Sequence, residues 1–198
     1  MNRENIQHCT AFDGNRCIAS GELMEVVKKV KESVDKGAAL SVLIFDDKSS
    51  ELIEVDFRGT MENVLSRLTN PSALDSRQSA VQRGPGRPKL GVIPREVTLL
   101  PRHWEWLNSQ PGGASVALRK LVEEARRMNS DRDLLRTSQG ATYRFMFAMA
   151  GDLPGFEEAS RALFAGNSET FNKTVAVWPS DILSHLLKLS SNAFQCEV

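Results

Sequence analysis

Five prolines crowd into residues 83–113 and parcel the middle of the chain into short pieces. A proline lacks the amide donor and clashes with the preceding turn, so a helix can begin at a proline but cannot run through one. The stretch therefore reads as a basic arm, Arg83-Gly84-Pro85-Gly86-Arg87-Pro88-Lys89, followed by a strand-like run, Arg95-Glu96-Val97-Thr98-Leu99-Leu100, stopped by Pro101. An aromatic helix over residues 102–110 comes next. Pro111-Gly112-Gly113 breaks the chain again, and a patterned helix over 114–128 follows.

Net charge is zero but unevenly spread. Residues 1–82 carry 10 basic and 13 acidic side chains, residues 83–136 carry 11 and 6, and residues 137–198 carry 4 and 6. A basic middle between acidic flanks suits a local phosphate-binding surface, although solvated surface gives the same sign. No apolar run approaches the roughly 18 residues of a membrane span, and the N-terminus leads into no signal-peptide core, so a cytoplasmic protein without membrane contact is expected.

Residues 1–70 read as an α/β unit of order ββαββα. Asp13-Gly14 predicts a two-residue hairpin turn with Phe12 opposite Asn15, which sets Cys17 opposite Thr10 and Cys9 opposite Ile18. The two thiols then face opposite sides of the sheet and should not bridge. Leu23, Val26, Val27, Val30 and Val34 make one apolar helical stripe, ended by Lys36-Gly37. Residues 40–45 are a nearly continuous apolar strand with a turn at 46–50. Residues 51–57 alternate as a half-buried strand, and Thr60 opens a short helix through Leu65 and Leu68. Neither the acids Asp46, Asp47, Glu54 and Asp56 nor His8, Cys9 and Cys17 have the spacing of a metal site.

Residues 71–94 are a linker by composition, rich in Gly, Pro, Ser and Arg. Within it Gly86-Arg87-Pro88-Lys89 resembles the core of an AT-hook, which lays Arg-Pro into a narrow A·T minor groove. An AT-hook carries Arg-Gly-Arg-Pro, and Pro85 stands where its first arginine belongs.

The strand-helix-helix order of residues 95–136 resembles a ribbon-helix-helix DNA-binding unit. In that family two chains pair their strands as a ribbon in the major groove, and the start of the second helix meets a phosphate. The resemblance implies duplex DNA as the partner and a homodimer as the working form. The corresponding residues are Arg95 on the ribbon, Gly113, Ala114 and Ser115 at the helix start, and Arg119 beside it, with Arg83, Arg87 and Lys89 contributed by the arm. Ala117, Leu118, Leu121, Val122 and Ala125 would form the buried face of the second helix. Family members carry polar residues at positions where this chain has Val97 and Leu99, so the strand face is either groove-facing or core.

Trp104 and Trp106 lie two apart on a helix and do not share a face. Trp104, Leu100 and Leu107 are expected in a core, with Trp106 partly out. His103 and His185 have no partner at recognisable spacing and are expected at the surface, capping, or satisfied. Residues 137–198 predict a small helical bundle: a helix over 142–150 buried nearly all round, then helices over 156–165, 168–177 (with Ser168 as its cap) and 181–189. This bundle is a possible protein-partner surface.

The phrases Val55-Asp56-Phe57-Arg58-Gly59-Thr60, Pro101-Arg102-His103-Trp104-Glu105-Trp106-Leu107, Gly112-Gly113-Ala114-Ser115 and Ala150-Gly151-Asp152-Leu153-Pro154-Gly155-Phe156 together resemble an uncharacterised bacterial family, a domain of unknown function. The resemblance implies a bacterial cytoplasmic protein and no particular chemistry. No nucleophile–base pair, glycine-rich phosphate loop or metal spacing is present, so no enzyme and no cofactor is expected. The expectation is an α+β protein that binds DNA as a dimeric transcriptional regulator. The alternative is a protein-interaction or scaffolding module whose ribbon serves only dimerisation.

Overall fold

The first hairpin sets the frame on which the rest of the larger unit is built. In the computed structural model, which describes residues 7–38, 41–69, 93 and 95–194, β1 (His8–Asp13) and β2 (Arg16–Glu22) are antiparallel neighbours. Their turn is Gly14-Asn15, one residue later than the spacing suggests. The positive φ of 56° falls on Gly14, the first turn residue, where a type II′ turn puts glycine. Asp13 then pairs with Arg16 and Phe12 with Cys17, and a bulge restores Ala11 opposite Ala19 and Cys9 opposite Gly21. The expected Cys9–Ile18 and Cys17–Thr10 pairings are therefore replaced. The thiols still lie on opposite faces, and both are free.

Helix α1 (Leu23–Asp35) follows with Val26, Val27 and Val30 buried, as the stripe demands. It ends at Gly37, whose φ of 66° lets its amide reach the Val34 carbonyl while Ala38 reaches Ser33. Strand β3 (Val42–Asp46) pairs with the outer side of β1, giving the antiparallel order β2-β1-β3. Its turn is built by Asp46, whose Oδ1 accepts the amides of Lys48 and Ser49.

The expected fourth strand does not form. Residues 51–57 keep their alternation, with Ile53, Val55 and Phe57 packed on the core, but only Leu52 bridges to Phe45. Further along, the Arg67 guanidinium donates to the carbonyls of Asp56 and Arg58. Those carbonyls are thereby satisfied without a ladder. Helix α2 (Met61–Thr69) starts behind Thr60, whose hydroxyl accepts the Asn63 amide at 3.4 Å.

Helix α3 (Pro101–Ser109) and helix α4 (Gly113–Ala150) come next. Where the sequence suggests a 114–128 helix and a separate one over 142–150, α4 is one helix of 38 residues. Between Gly113 and Ala150 there is no proline and only Gly140 as a weak breaker, and polar residues of the intervening stretch supply i,i+3 pairs such as Asp133–Arg136. Three short helices follow: α5 (Phe156–Phe164), α6 (Ser168–Val175) and α7 (Ser180–Leu189). Asn167, not Ser168, caps α6, its side chain accepting the Thr170 amide at 2.9 Å.

The chain divides into two compact units, one formed by Met1–Pro71 with Asp131–Val198 and the other by Ser72–Ser130. In the first, the sheet is sandwiched. Cys9, Ala11 and Ile44 face α1 and Val64 of α2, whereas Phe12 and Phe45 face Phe145, Met146, Ile182 and Leu186 of α4 and α7. The two ends of the chain thus share one core. Polar links cross the same junction: the Cys17 amide donates to Asp181 at 2.9 Å, and Arg144 Nε donates to the Ser49 carbonyl at 2.7 Å. His185 is not at the surface. It is 5% exposed, with its ring against Phe12 and Phe145. The 142–150 segment is buried on one side only, with Arg144, Phe147 and Ala148 exposed.

Candidate nucleic-acid interface

The smaller unit is described from residue 93, with residue 94 excepted, through 130, so Arg83, Arg87 and Lys89 lie outside the described residues. It begins with an extended segment. Residues 95–100 make no strand pairing among the described residues, unlike the strand the sequence suggests. A strand has to have a neighbour to be one, and the described residues of this unit offer none within a single chain.

Leu100 keeps an extended backbone (φ −66°, ψ 150°) ahead of Pro101, and its carbonyl accepts the amides of His103 and Trp104 to start α3. Gln110 is again extended, and Gly112 and Gly113 both take positive φ, 87° and 73°. A Cβ on Gly112 would stand 3.1 Å from Val116 Cβ, so this turn needs glycine for space as well as conformation.

Gly113, Ala114 and Ser115 form the first turn of α4, where amides lack intrahelical partners. Arg119 folds back over this turn, its Nε donating to the Ser115 carbonyl at 3.1 Å and Nη2 to Ser115 Oγ at 3.3 Å. A guanidinium and a helix start are thus placed together, which is a sound arrangement for an anion. Arg95 is exposed. With Val97, Arg119, Val122 and Met128 it lines an open groove of about 1260 Å³ along α4.

That groove corrects the expected core. Leu107 and Ala117 are buried, but Leu100, Trp104, Trp106, Leu121 and Val122 are all exposed, with Val97 and Val122 each at 57%. Among the described residues, two helices and an extended arm supply no opposing layer, so the apolar stripe over the first turns of α4 stays largely in water. The groove also carries Glu123, Glu124 and Arg127, residues the sequence pattern did not single out. Their i,i+3 and i,i+4 spacing on α4 was the available signal. His103 is exposed, as expected.

Among the described residues no group of three His, Cys, Asp or Glu side chains could hold a metal ion. None of the described helices is long and apolar enough to cross a membrane. Neither a curated protein nor a solved structure matches the chain. Its residues 8–190 match a bacterial family model, and the chain belongs to that family, described as "Uncharacterized protein conserved in bacteria (DUF2239)".

Proposed function

We propose that the chain is a homodimeric DNA-binding protein of the transcriptional-regulator type. Two copies pair residues 95–100 as an antiparallel ribbon and close their α4 grooves on each other. The carrying observation is the uncovered apolar side of a compact unit whose order is extended segment, α3, glycine turn, α4. The groove holds Lys120 and Arg127 together with Glu123 and Glu124, a mixture that suits its own two-fold image. Phosphate would meet the Gly113–Ser115 turn and Arg119, and the Arg87/Lys89 arm would add a second contact to the duplex.

A second reading has its own support: Val97 lines the apolar groove, which suits a dimer core better than base contact. In that reading the groove serves only self-association, and the protein is an interaction or scaffolding module whose partner is another protein.

Binding of the full chain to mixed-sequence duplex DNA across a salt series separates the two. Affinity should fall steeply with salt. Changing Arg87, Lys89 and Arg95 together to Ala should reduce the log–log slope by about three. A dimer that ignores duplex DNA at low salt rules out the first reading and leaves the second.

A further inference from the structure

Residues 95–100 have two unlike faces. Arg95 and Val97 line the α4 groove together with Ile93, Val122 and Met128. Leu99, next in the same series, is the one residue of 95–100 that is half-buried rather than exposed. Alternate side chains of an extended chain point to opposite sides, so Glu96 and Thr98 stand on the face turned away from α4. Both are exposed, and neither has a side-chain partner among the described residues. The apolar side chains of this segment thus belong to the groove, and its polar ones to the side that a duplex would meet.

We propose that Glu96 reads a base edge and selects cytosine, an assignment that rests on the DNA-binding reading. When two copies pair this segment as a ribbon, the Val97 face covers the α4 grooves and the Glu96 face enters the major groove. Few base edges there suit a carboxylate. The cytosine N4 amino group donates to it, whereas guanine and thymine present acceptors. Adenine offers its N6 amino group, but the N7 acceptor alongside repels a second acceptor. Thr98 donates or accepts and makes no comparable choice. A carboxylate brought among phosphates also weakens binding to every sequence that leaves it unsatisfied, so Glu96 rejects other bases as much as it holds cytosine. The two-fold ribbon brings one Glu96 from each copy, which makes the preferred site an inverted pair of C·G base pairs.

Selection of duplexes from a randomised library by the full chain at low salt tests this. It is run beside Glu96→Gln and, as a control for charge, beside Glu105→Gln, which alters an exposed acid of α3. The unmodified chain and Glu105→Gln should both enrich the inverted C·G pair. Glu96→Gln should enrich A·T in its place, because a glutamine amide pairs with both N6 and N7 of adenine. In titrations the unmodified chain should prefer the cytosine site over the adenine site by about tenfold, and Glu96→Gln should reverse the order. Glu96 is exposed, so an unchanged far-UV spectrum verifies the fold of the variant. An enriched site that Glu96→Gln leaves unaltered, or DNA bound with no sequence enriched, overturns the proposal while DNA binding itself stands. Recovery of no duplex by any of the three proteins removes the DNA-binding reading, and this proposal with it.

Discussion

The His185 imidazole lies on the Phe145 ring, centroids 4.6 Å apart, and on Phe12 at 5.5 Å, so α7 reaches both α4 and the first strand through one side chain. Its Nε2 is buried without a hydrogen-bond partner. Burial pushes its pKa below the ordinary histidine value, with Lys188 acting the same way and the Asp47 carboxylate opposing.

This makes the larger unit sensitive to acid. The unfolded chain takes up a proton at His185 near pH 6.5, whereas the folded chain does so only at lower pH. The unfolded state then binds more protons in that window, so stability falls as pH drops from the ordinary histidine value through the depressed one, and it is level above. Urea midpoints measured between pH 5 and 8 should show this slope. His185→Phe should flatten it and, by removing the unpaired nitrogen, add about 1 kcal/mol at acid pH.

Phe145 touches Phe12, Phe45 and His185. Phe145→Ala should cost about 3–5 kcal/mol in chemical denaturation. Probes on the sheet and on α7 should lose their signals in one transition, because both ends of the chain share that core. Separate transitions would contradict the shared core.

Gly155 opens α5 at φ 80°, and a Cβ there would stand 2.6 Å from Thr174 Cγ2 of α6. Gly155→Ala should destabilise by about 2 kcal/mol or more, combining left-handed strain with the clash. Thr174→Ser in the same chain removes the obstructing methyl. It should recover the steric part and leave about 1–2 kcal/mol of backbone cost. Full recovery would mean the conformation itself is unstrained.

Cys9 is fully buried, and its thiol pKa is pushed up to about 11 by burial and then by the Asp47 and Asp46 carboxylates. Alkylation at pH 8, mapped by mass spectrometry, should be slower at Cys9 in the folded chain than in urea by a factor of at least ~100, because thiolate is scarce and access is closed. Cys17, half-buried on the other face and also raised by burial, should react faster than Cys9. No Cys9–Cys17 disulfide should form on mild oxidation.

Some of this architecture was legible in local spacing and some was not. The α1 stripe, the glycine stop at Gly37 and the Pro101 and Gly112-Gly113 punctuation all act within one or two turns, and each stands where the sequence suggests. The 51–57 segment alternates like a strand but bridges β3 only at Leu52, and the Asp56 and Arg58 carbonyls are met instead by the Arg67 side chain from the following helix. The helices suggested over 114–128 and 142–150 are one, because nothing in the polar stretch between them stops a helix. At the candidate interface, the start of α4 and the place of Arg119 followed from the glycine turn. The Arg119–Ser115 link and the open groove did not.

The amino-acid sequence by itself determined which segments coil, where they stop, and which of their faces are apolar, since those depend on backbone preferences and on periodicities of 3.6 and 2. Only the tertiary structure decided what each apolar face meets. Phe12 and His185 are neighbours because the sheet presents one side to α4 and α7, and no local rule links residues so far apart in the chain. The same stripe pattern was satisfied around Phe145 and left in water around Val122, because among the described residues the first has an opposing layer and the second does not.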